Sequence, residues 1–453
     1  MGRITLQQAA QWCGGKIDPK YKDVVFFGAG NDTRKLEPGQ LFVALQGVRD
    51  GHEFVGAALE KGAAAVLCTH CDGDYPAIVV PDTRIALGEI AAQERLRIGM
   101  KVVGVTGSVG KSTTKEMIAA VLGSQWRVSK TPVNHNNDIG MPMAILSMPE
   151  DTQIAVLEMG MNHFREIGYL TGIAKPDLAV IINIGTMHIE HLGSMEGILR
   201  AKLEIIEGMP EDGKLILNGD DTLLWSVRNK LRLQPRYFGS GNDACAVRGL
   251  EIREEEAHIC FRVESGEGSF DIELPVVGLH HVSDALAAVA VGLECGVTPD
   301  NISRSLGGFR NMAGRQEIFR VEEFTVIKDC YNAGPESMAA ALSVLGKKPG
   351  RHIAVLGDML ELGVRAAAEH YKVGRIAAMN ADMVFAYGPN SSKILHGAIT
   401  GGMTAMKARA FEDQKTMAEV LKRVAKPGDV LLFKGSNGMH MERVLEMFLQ
   451  EDK

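Results

Sequence analysis

The chain has 453 residues, too many for one ordinary core, and this length points to about three domains, each long enough to bury a core of its own. A formal net charge of −7 argues against a nucleic-acid scaffold, because a phosphate backbone demands clustered Lys and Arg, so small molecules are the expected partners. No apolar run approaches the roughly 20 residues that span a bilayer, the opening Met-Gly-Arg-Ile-Thr-Leu-Gln-Gln has no apolar signal core, and seven scattered cysteines fit a reducing compartment, so a cytoplasmic protein is expected.

Three blocks follow one another along the chain: residues 1–99, 100–313 and 314–453. In the first, a strand-like run at 40–45 precedes a helix-like stretch at 54–61 and a second apolar run at 63–67, and the block closes on the polar stretch 93–97. Cys68 and Cys71, in Cys-Thr-His-Cys, have no second pair nearby to complete four metal ligands and read as the end of a buried strand.

In the second block short continuous apolar runs lead at once into polar or glycine residues, the pattern of buried parallel strands. Residues 102–105 run into Gly107, Ser108, Val109, Gly110, Lys111, Ser112 and Thr113, and Met117, Ile118, Val121 and Leu122 follow at helical spacing. A glycine-rich turn between strand and helix cradles phosphates with its backbone N–H groups; Lys111 can reach the outer phosphates and the Ser112 hydroxyl can sit on Mg²⁺. Val105 stands where a strict phosphate loop has its first glycine, so the match is the shorter G-x-x-G-K-S. Three further runs end in Glu158, in Asn183 to His188, and in Asn218-Gly-Asp-Asp221; ligands of open α/β sheets bind at such carboxyl ends, so the four sets should meet around one site.

The third block repeats the pattern, with runs ending in Lys328-Asp329, Gly357-Asp358, Tyr387-Gly388 and Lys434-Gly-Ser436. It reads as a second doubly wound domain facing the first across a cleft. Glu158, directly after a buried strand, fits an oxygen ligand for Mg²⁺. His188 and His191 are a weaker signal, because two histidines in a loop are more often hydrogen-bonded structure than ligands. Lys202, taken by itself, reads as a helix-surface lysine. A phosphate loop alone does not separate a switch, a motor, a kinase and a ligase.

From about residue 31 to 443 the chain resembles the Mur ligase family. The likeness is carried by Asp32-Thr-Arg34, Asp50-Gly-His52-x-Phe54, Thr106-Gly-x-x-Gly-Lys-Ser112, Asn134-x-Asn-Asn137, Leu157-Glu-Met-Gly160, Ala201-Lys-x-Glu204, Gly278-x-His280, Gly314-Arg315, Asp329-x-Tyr-Asn-Ala333, Leu356-Gly-Asp-Met-x-Glu-Leu-Gly363 and Lys434-Gly-Ser436. It implies three α/β domains: 1–99 a small domain for a UDP-sugar peptide, 100–313 a central P-loop ATPase-like doubly wound sheet for ATP, and 314–453 a Rossmann-like domain for an incoming dipeptide. The implied activity is an ATP-dependent ligase that joins D-alanyl-D-alanine to UDP-N-acetylmuramoyl-tripeptide through an acyl phosphate in peptidoglycan precursor synthesis, working as a monomer with ATP and Mg²⁺.

The same resemblance implies residue roles. Residues 107–113 would bind the ATP phosphates, Ser112 and Glu158 would hold Mg²⁺, and His188 with a carbamylated Lys202 would support a second ion. Asp284, Arg315 and Asp329 would reach the nucleotide. Asp32, Thr33, Arg34, Asn134, Asn136 and Asn137 would contact the UDP-sugar peptide, and Asn332, Asp358, Lys434 and Ser436 would lie at the dipeptide site. His281, Asp284 and Gly334 replace asparagines usual in the family. Rival readings are another ligase of the superfamily such as a folylpolyglutamate synthase, a nucleotide-hydrolysing switch, and a binding protein without activity.

Overall fold

The computed structural model describes residues 3–450. The apolar runs form three predominantly parallel sheets in chain order. The first is a four-stranded parallel sheet, ordered Ala29–Gly30, Leu41–Val43, Ala65–Cys68 and Ala77–Val79. Cys68 ends its strand fully buried and Cys71 is a free thiol just beyond it, as a strand end requires. The helix-like stretch is a 3₁₀ turn, Gly51–Phe54, running into the helix Val55–Glu60.

The polar residues 93–97 belong to the helix Thr83–Ile98, the last element before the central sheet begins at Lys101. Asp82 caps it by accepting from the Arg84 and Ile85 amides at 2.8 and 3.1 Å, and Gly99 closes it at φ 70°, where a side chain would be strained. Glu94 tolerates burial on its inner face because Arg97 clasps it with two bonds of 2.7 and 2.8 Å. This helix packs on the helices Gly140–Leu146 and Glu166–Ala174 of the next layer. A separate core therefore covers one face of the small sheet only, around Phe42, Val55 and Val66. On the other face a single apolar cluster runs from Ile4 through Leu87 and Leu157 to Cys245.

The central sheet has nine strands, ordered from one edge Val128–Lys130, Ile154–Glu158, Lys101–Thr106, Leu178–Ile181, Lys214–Asn218, Arg236–Gly239, Val247–Glu254, Ile259–Ser265 and Gly268–Leu274. It is parallel up to Val247–Glu254, and the last two strands add an antiparallel edge. The chain leaves Lys101–Thr106 for one side of the sheet and later returns to the other, so the crevice at this switch of direction opens above that strand. The helix His280–Glu294 is apolar almost all round and lies buried against the helix Lys111–Gly123. Their approach is so close that a Cβ at Gly292 would stand 2.6 Å from Val121 Cγ1.

The third sheet has six strands, ordered Glu317–Val321, Phe324–Asp329, Val430–Lys434, His352–Gly357, Met383–Tyr387 and Ala408–Phe411, antiparallel only at the first pair. Its strand ends face those of the central sheet across a cleft. Among the described residues no helix is long and apolar enough to cross a membrane.

Candidate active site

The phosphate loop is held open from beneath. The Asn183 side-chain oxygen accepts from the Ser108 and Val109 amides, both at 3.0 Å, while its Nδ2 donates to the Val109 carbonyl at 3.0 Å. Gly110 starts the helix Lys111–Gly123 at φ 84°, and a Cβ there would stand 2.5 Å from Asp284 Oδ1. Glycine is demanded twice at this position, by conformation and by space. Lys111 folds back over the loop and donates to the Gly107 and Ser108 carbonyls at 2.9 and 3.2 Å. Withdrawal from water lowers its pKa; the Glu158 charge works against this and the Arg315 charge adds to it.

At the next residue, the Ser112 hydroxyl donates to Glu158 Oε2 at 2.7 Å, and Asn136 Nδ2 donates to Glu158 Oε1 at 2.9 Å. Burial works to raise the Glu158 pKa, but the Lys111 charge and these two bonds outweigh it, so the carboxyl stays below its ordinary range and ionised. Behind it the fully buried Lys115 donates to the Thr131 carbonyl at 2.7 Å, 3.9 Å from Glu158, and the Thr131 hydroxyl accepts from the Glu158 amide at 3.0 Å. A hydroxyl beside an ionised carboxylate is a donor set suited to a hard divalent cation.

The third sheet supplies the opposite wall. Arg315 donates to Ser112 Oγ at 2.7 Å, and its guanidinium lies 3.8 Å over the Tyr331 ring. Lys434 donates to Asp329 Oδ2 at 2.6 Å and to the Asn332 carbonyl at 3.0 Å, which leaves one of its N–H donors over. Several contacts bridge the cleft at its rim, among them Tyr331 donating to Asn134 Oδ1. Glu336 Oε1 accepts from the Thr186 amide and hydroxyl at 2.9 and 3.0 Å, and Glu361 Oε2 lies 2.6 Å from His188 Nδ1. His188 and Glu361 both sit at positive φ, 63° and 64°, so two strained residues face each other across the boundary. The hydrogen bond with His188, opposed by partial burial, holds the Glu361 carboxyl below its usual range.

These walls enclose a cavity of about 570 Å³. Ser108, Val109, Gly110, Lys111, Ser112, Thr113, Asn136, Asn137, Glu158, His188, Asp284, Arg315, Asp329, Asn332 and Lys434 all line it. Asn134 and Ser436 line a smaller adjoining cavity of about 270 Å³ that shares His188 and Asn332 with the first. Of the four strand-end sets in the central sheet, three arrive whole or in large part. From the fourth only Asn218 reaches the cavity, because Asp220 is taken up by the Ser240 and Gly241 amides and Asp221 by the amides of Ile184, Leu223 and Leu224.

Other expected residues lie elsewhere. Gly107 forms the floor of the loop, against Ile182. Asp32, Thr33 and Arg34 line neither cavity; Arg34 is spent on Asp32 through bonds of 2.9 and 2.8 Å. Asp358 is 1% exposed beneath its loop. His191 packs against His163 with ring centroids 4.5 Å apart and planes tilted by 39°, away from both cavities. Lys202, which looks like a surface lysine in the sequence, is 2% exposed with no hydrogen-bond or ion-pair partner among the described residues. Burial, helped by the Lys111 charge, pushes its pKa well below the ordinary lysine value. Asn183, Tyr331 and Glu361 stood within strand-end or family motifs without a role of their own, and Lys115 and Glu336 were not singled out; Lys115 carried a local signal, a charge on the apolar face of its helix.

Comparison with known proteins agrees with this layout. The sequence pattern described as the Mur ligase middle domain matches residues 105–292, and that described as the Mur ligase, glutamate ligase domain matches residues 314–437. The UDP-N-acetylmuramoyl-tripeptide--D-alanyl-D-alanine ligase of Bacillus subtilis (strain 168) is 40% identical over 461 residues, covering 99% of both chains. The crystal structure of MurF from Acinetobacter baumannii superposes with a TM-score of 0.91 at 32% identity and full coverage of both chains. That of the MurF ligase from Thermotoga maritima in complex with ADP does so at 0.81 and 29% identity, over 93% of this chain and 97% of that one. With two domain patterns in tandem and likeness along its whole length, the chain belongs to the Mur ligase family.

Proposed function

We propose that this protein is an ATP-dependent ligase that joins D-alanyl-D-alanine to UDP-N-acetylmuramoyl-tripeptide, releasing ADP and phosphate, in peptidoglycan precursor synthesis. The observation that carries the reading is one cavity with a phosphate loop on one wall and Arg315, Asp329 and Lys434 on the other. The Bacillus subtilis relative bears the name of this activity, and the Thermotoga maritima relative holds ADP.

The chemistry begins from an obstacle: a carboxylate is a poor acyl donor. Its oxygen attacks the γ-phosphoryl group of ATP to give an acyl phosphate and ADP. Lys111 swings from the loop carbonyls to the phosphates, and Arg315 moves from Ser112 onto the same developing charge. The dipeptide amine then attacks the acyl phosphate carbonyl and expels phosphate. Acyl phosphates hydrolyse, so the rim contacts of Glu336 and Glu361 serve to keep water out while the intermediate lives.

The Ser112 hydroxyl and the ionised Glu158 fit Mg²⁺ and would hold one ion. The family likeness adds His188 with Lys202 for a second; of these two His188 lines the cavities and Lys202 lies behind them. Bound there, magnesium neutralises charge on the phosphoryl oxygens. A cationic Lys202 would repel it, but burial lowers the pKa of this lysine and so favours the free amine, which adds carbon dioxide to give a carbamate anion and a proton. Residues 1–99 with Asn134, Asn136 and Asn137 would take the UDP-sugar peptide, 100–313 the ATP, and 314–453, through Asn332, Lys434 and Ser436, the dipeptide. Asp284 would lie on the nucleotide side. The protein works in the cytoplasm as a monomer.

A phosphate-release assay with UDP-N-acetylmuramoyl-tripeptide and D-alanyl-D-alanine tests the assignment. Release is expected only when both are present with ATP. Equal release with either omitted would identify a nucleotide-hydrolysing switch instead.

A further inference from the structure

His370 takes no part in the chemistry above. It lies one turn into the helix Ala366–Asn380 and is 0% exposed. Both ring nitrogens are engaged: Nδ1 is 2.7 Å from the Ala366 carbonyl, and Nε2 accepts the Met359 amide at 2.9 Å. A ring that donates through one nitrogen and accepts through the other is a neutral imidazole with its proton on Nδ1. Met359 leaves the strand His352–Gly357 and opens the loop that carries Leu360 and Glu361.

The root of this loop is anchored a second time. Asp358 accepts from the Asn390 amide and side chain, both at 2.9 Å, and a Cβ at Gly388, whose φ is 120°, would stand 2.7 Å from the Asp358 carboxyl carbon. His370 Nε2 lies 3.6 Å from Asp358 Oδ1, so the two buried groups form one footing. From it the loop rises to the cleft, where the Leu360 amide donates to Ser436 Oγ at 2.9 Å and Glu361 meets His188. Leu360, Glu361, Ser436 and His188 all line the smaller cavity. An apolar side chain at such a depth would leave the Met359 amide without an acceptor, and the ring nitrogen supplies one.

We propose that His370 is a positioning residue for the dipeptide end of the cleft: its Nε2 lone pair fixes the Met359 amide and so sets where Leu360 and Glu361 stand over the smaller cavity. It acts through the loop and never touches substrate. The proposal rests on the ligase reading above and assigns to it a residue outside both cavities.

The test separates the acceptor from the bulk of the ring. In His370→Gln the side-chain oxygen reaches the place of Nε2 and can accept from Met359; in His370→Asn the amide is too short, and in His370→Leu the acceptor is gone. The expected result is a KM for D-alanyl-D-alanine raised about tenfold or more in the Asn and Leu variants and restored to within about threefold of the parent in the Gln variant, the scale of a buried donor left unpaired. KM for ATP should stay within about twofold of the parent in all three. Hydrogen exchange on the full chain should show faster exchange across 358–363 in the Asn and Leu variants and not in the Gln variant, a readout that needs no turnover. Equal KM values for the dipeptide in all variants, or exchange at 358–363 unchanged by loss of the acceptor, would overturn the proposal. If the parent protein fails to use the dipeptide at all, the ligase reading falls, while the exchange experiment still decides the role of His370.

Discussion

Replacing Lys111 by Ala should abolish turnover while leaving the ligand-free fold as stable as before. In the folded chain this lysine gives up two bonds to loop carbonyls, each worth about 1 kcal/mol net, but its ammonium is also drawn out of water at a cost that shows as a lowered pKa. The sign follows from linkage: a lysine of depressed folded pKa disfavours folding while protonated, and that penalty fades as pH rises through the folded value. Removing the side chain therefore removes bonds and penalty together, and the net change should stay within about 1 kcal/mol. Activity is different, because a lost donor to developing phosphoryl charge costs about 10³ in kcat, or about 4 kcal/mol. Thermal unfolding with and without ATP reads both effects. At an ATP concentration of about 100 Kd the parent gains about 2.7 kcal/mol from the ligand, whereas a variant binding about 100-fold more weakly gains about 0.4 kcal/mol. A ligand-free variant several kcal/mol less stable, or turnover near that of the parent, would refute the reasoning.

Three further outcomes follow from the same contacts. Gly110→Ala places a Cβ at φ 84° and 2.5 Å from Asp284, which is itself tied to Thr114 at 2.8 Å; denaturant unfolding should give a loss of about 2–3 kcal/mol, and ATP binding should weaken at least tenfold. Glu336→Ala removes both bonds to Thr186 and should enlarge the radius of gyration of the ligand-free protein in solution scattering, with compaction regained on adding an ATP analogue and the UDP-sugar peptide; identical scattering curves would count against the rim contact. Lys202→Ala should lose activity by about 10² or more and recover part of it with added formate or acetate, since a small carboxylate can stand in for the carbamate; failure of any rescue would leave a plain buried amine at that position.

The parallel strands were legible because a strand buried on both faces is a continuous apolar run, as at Ile154–Glu158 and Val430–Lys434. The antiparallel edge Ile259–Ser265 with Gly268–Leu274 was not singled out, since Arg262, Glu264, Asp271 and Glu273 alternate with its inward residues and dilute the apolar signal. The phosphate loop and Glu158 were readable because their chemistry is local. Asn183 clamps a loop 74 residues earlier, Glu336 meets Thr186 across 150, and no pattern within a window records such pairings. Lys202 misleads because its burial leaves no mark in its own helix, and the family likeness, not its spacing, drew notice to it.

The apolar cluster that joins the small sheet to the central one also sets an order of events during synthesis. A chain growing from its N-terminus lacks Leu157 and Leu217 until well after the small sheet has emerged, so one face of that sheet stays uncovered until the cluster can close at Cys245. The C-terminal part draws one of its cores wholly from Val326 to Phe448 and has no such debt. Heating the finished protein should accordingly give two calorimetric transitions, one shared by the first two sheets and one for the third.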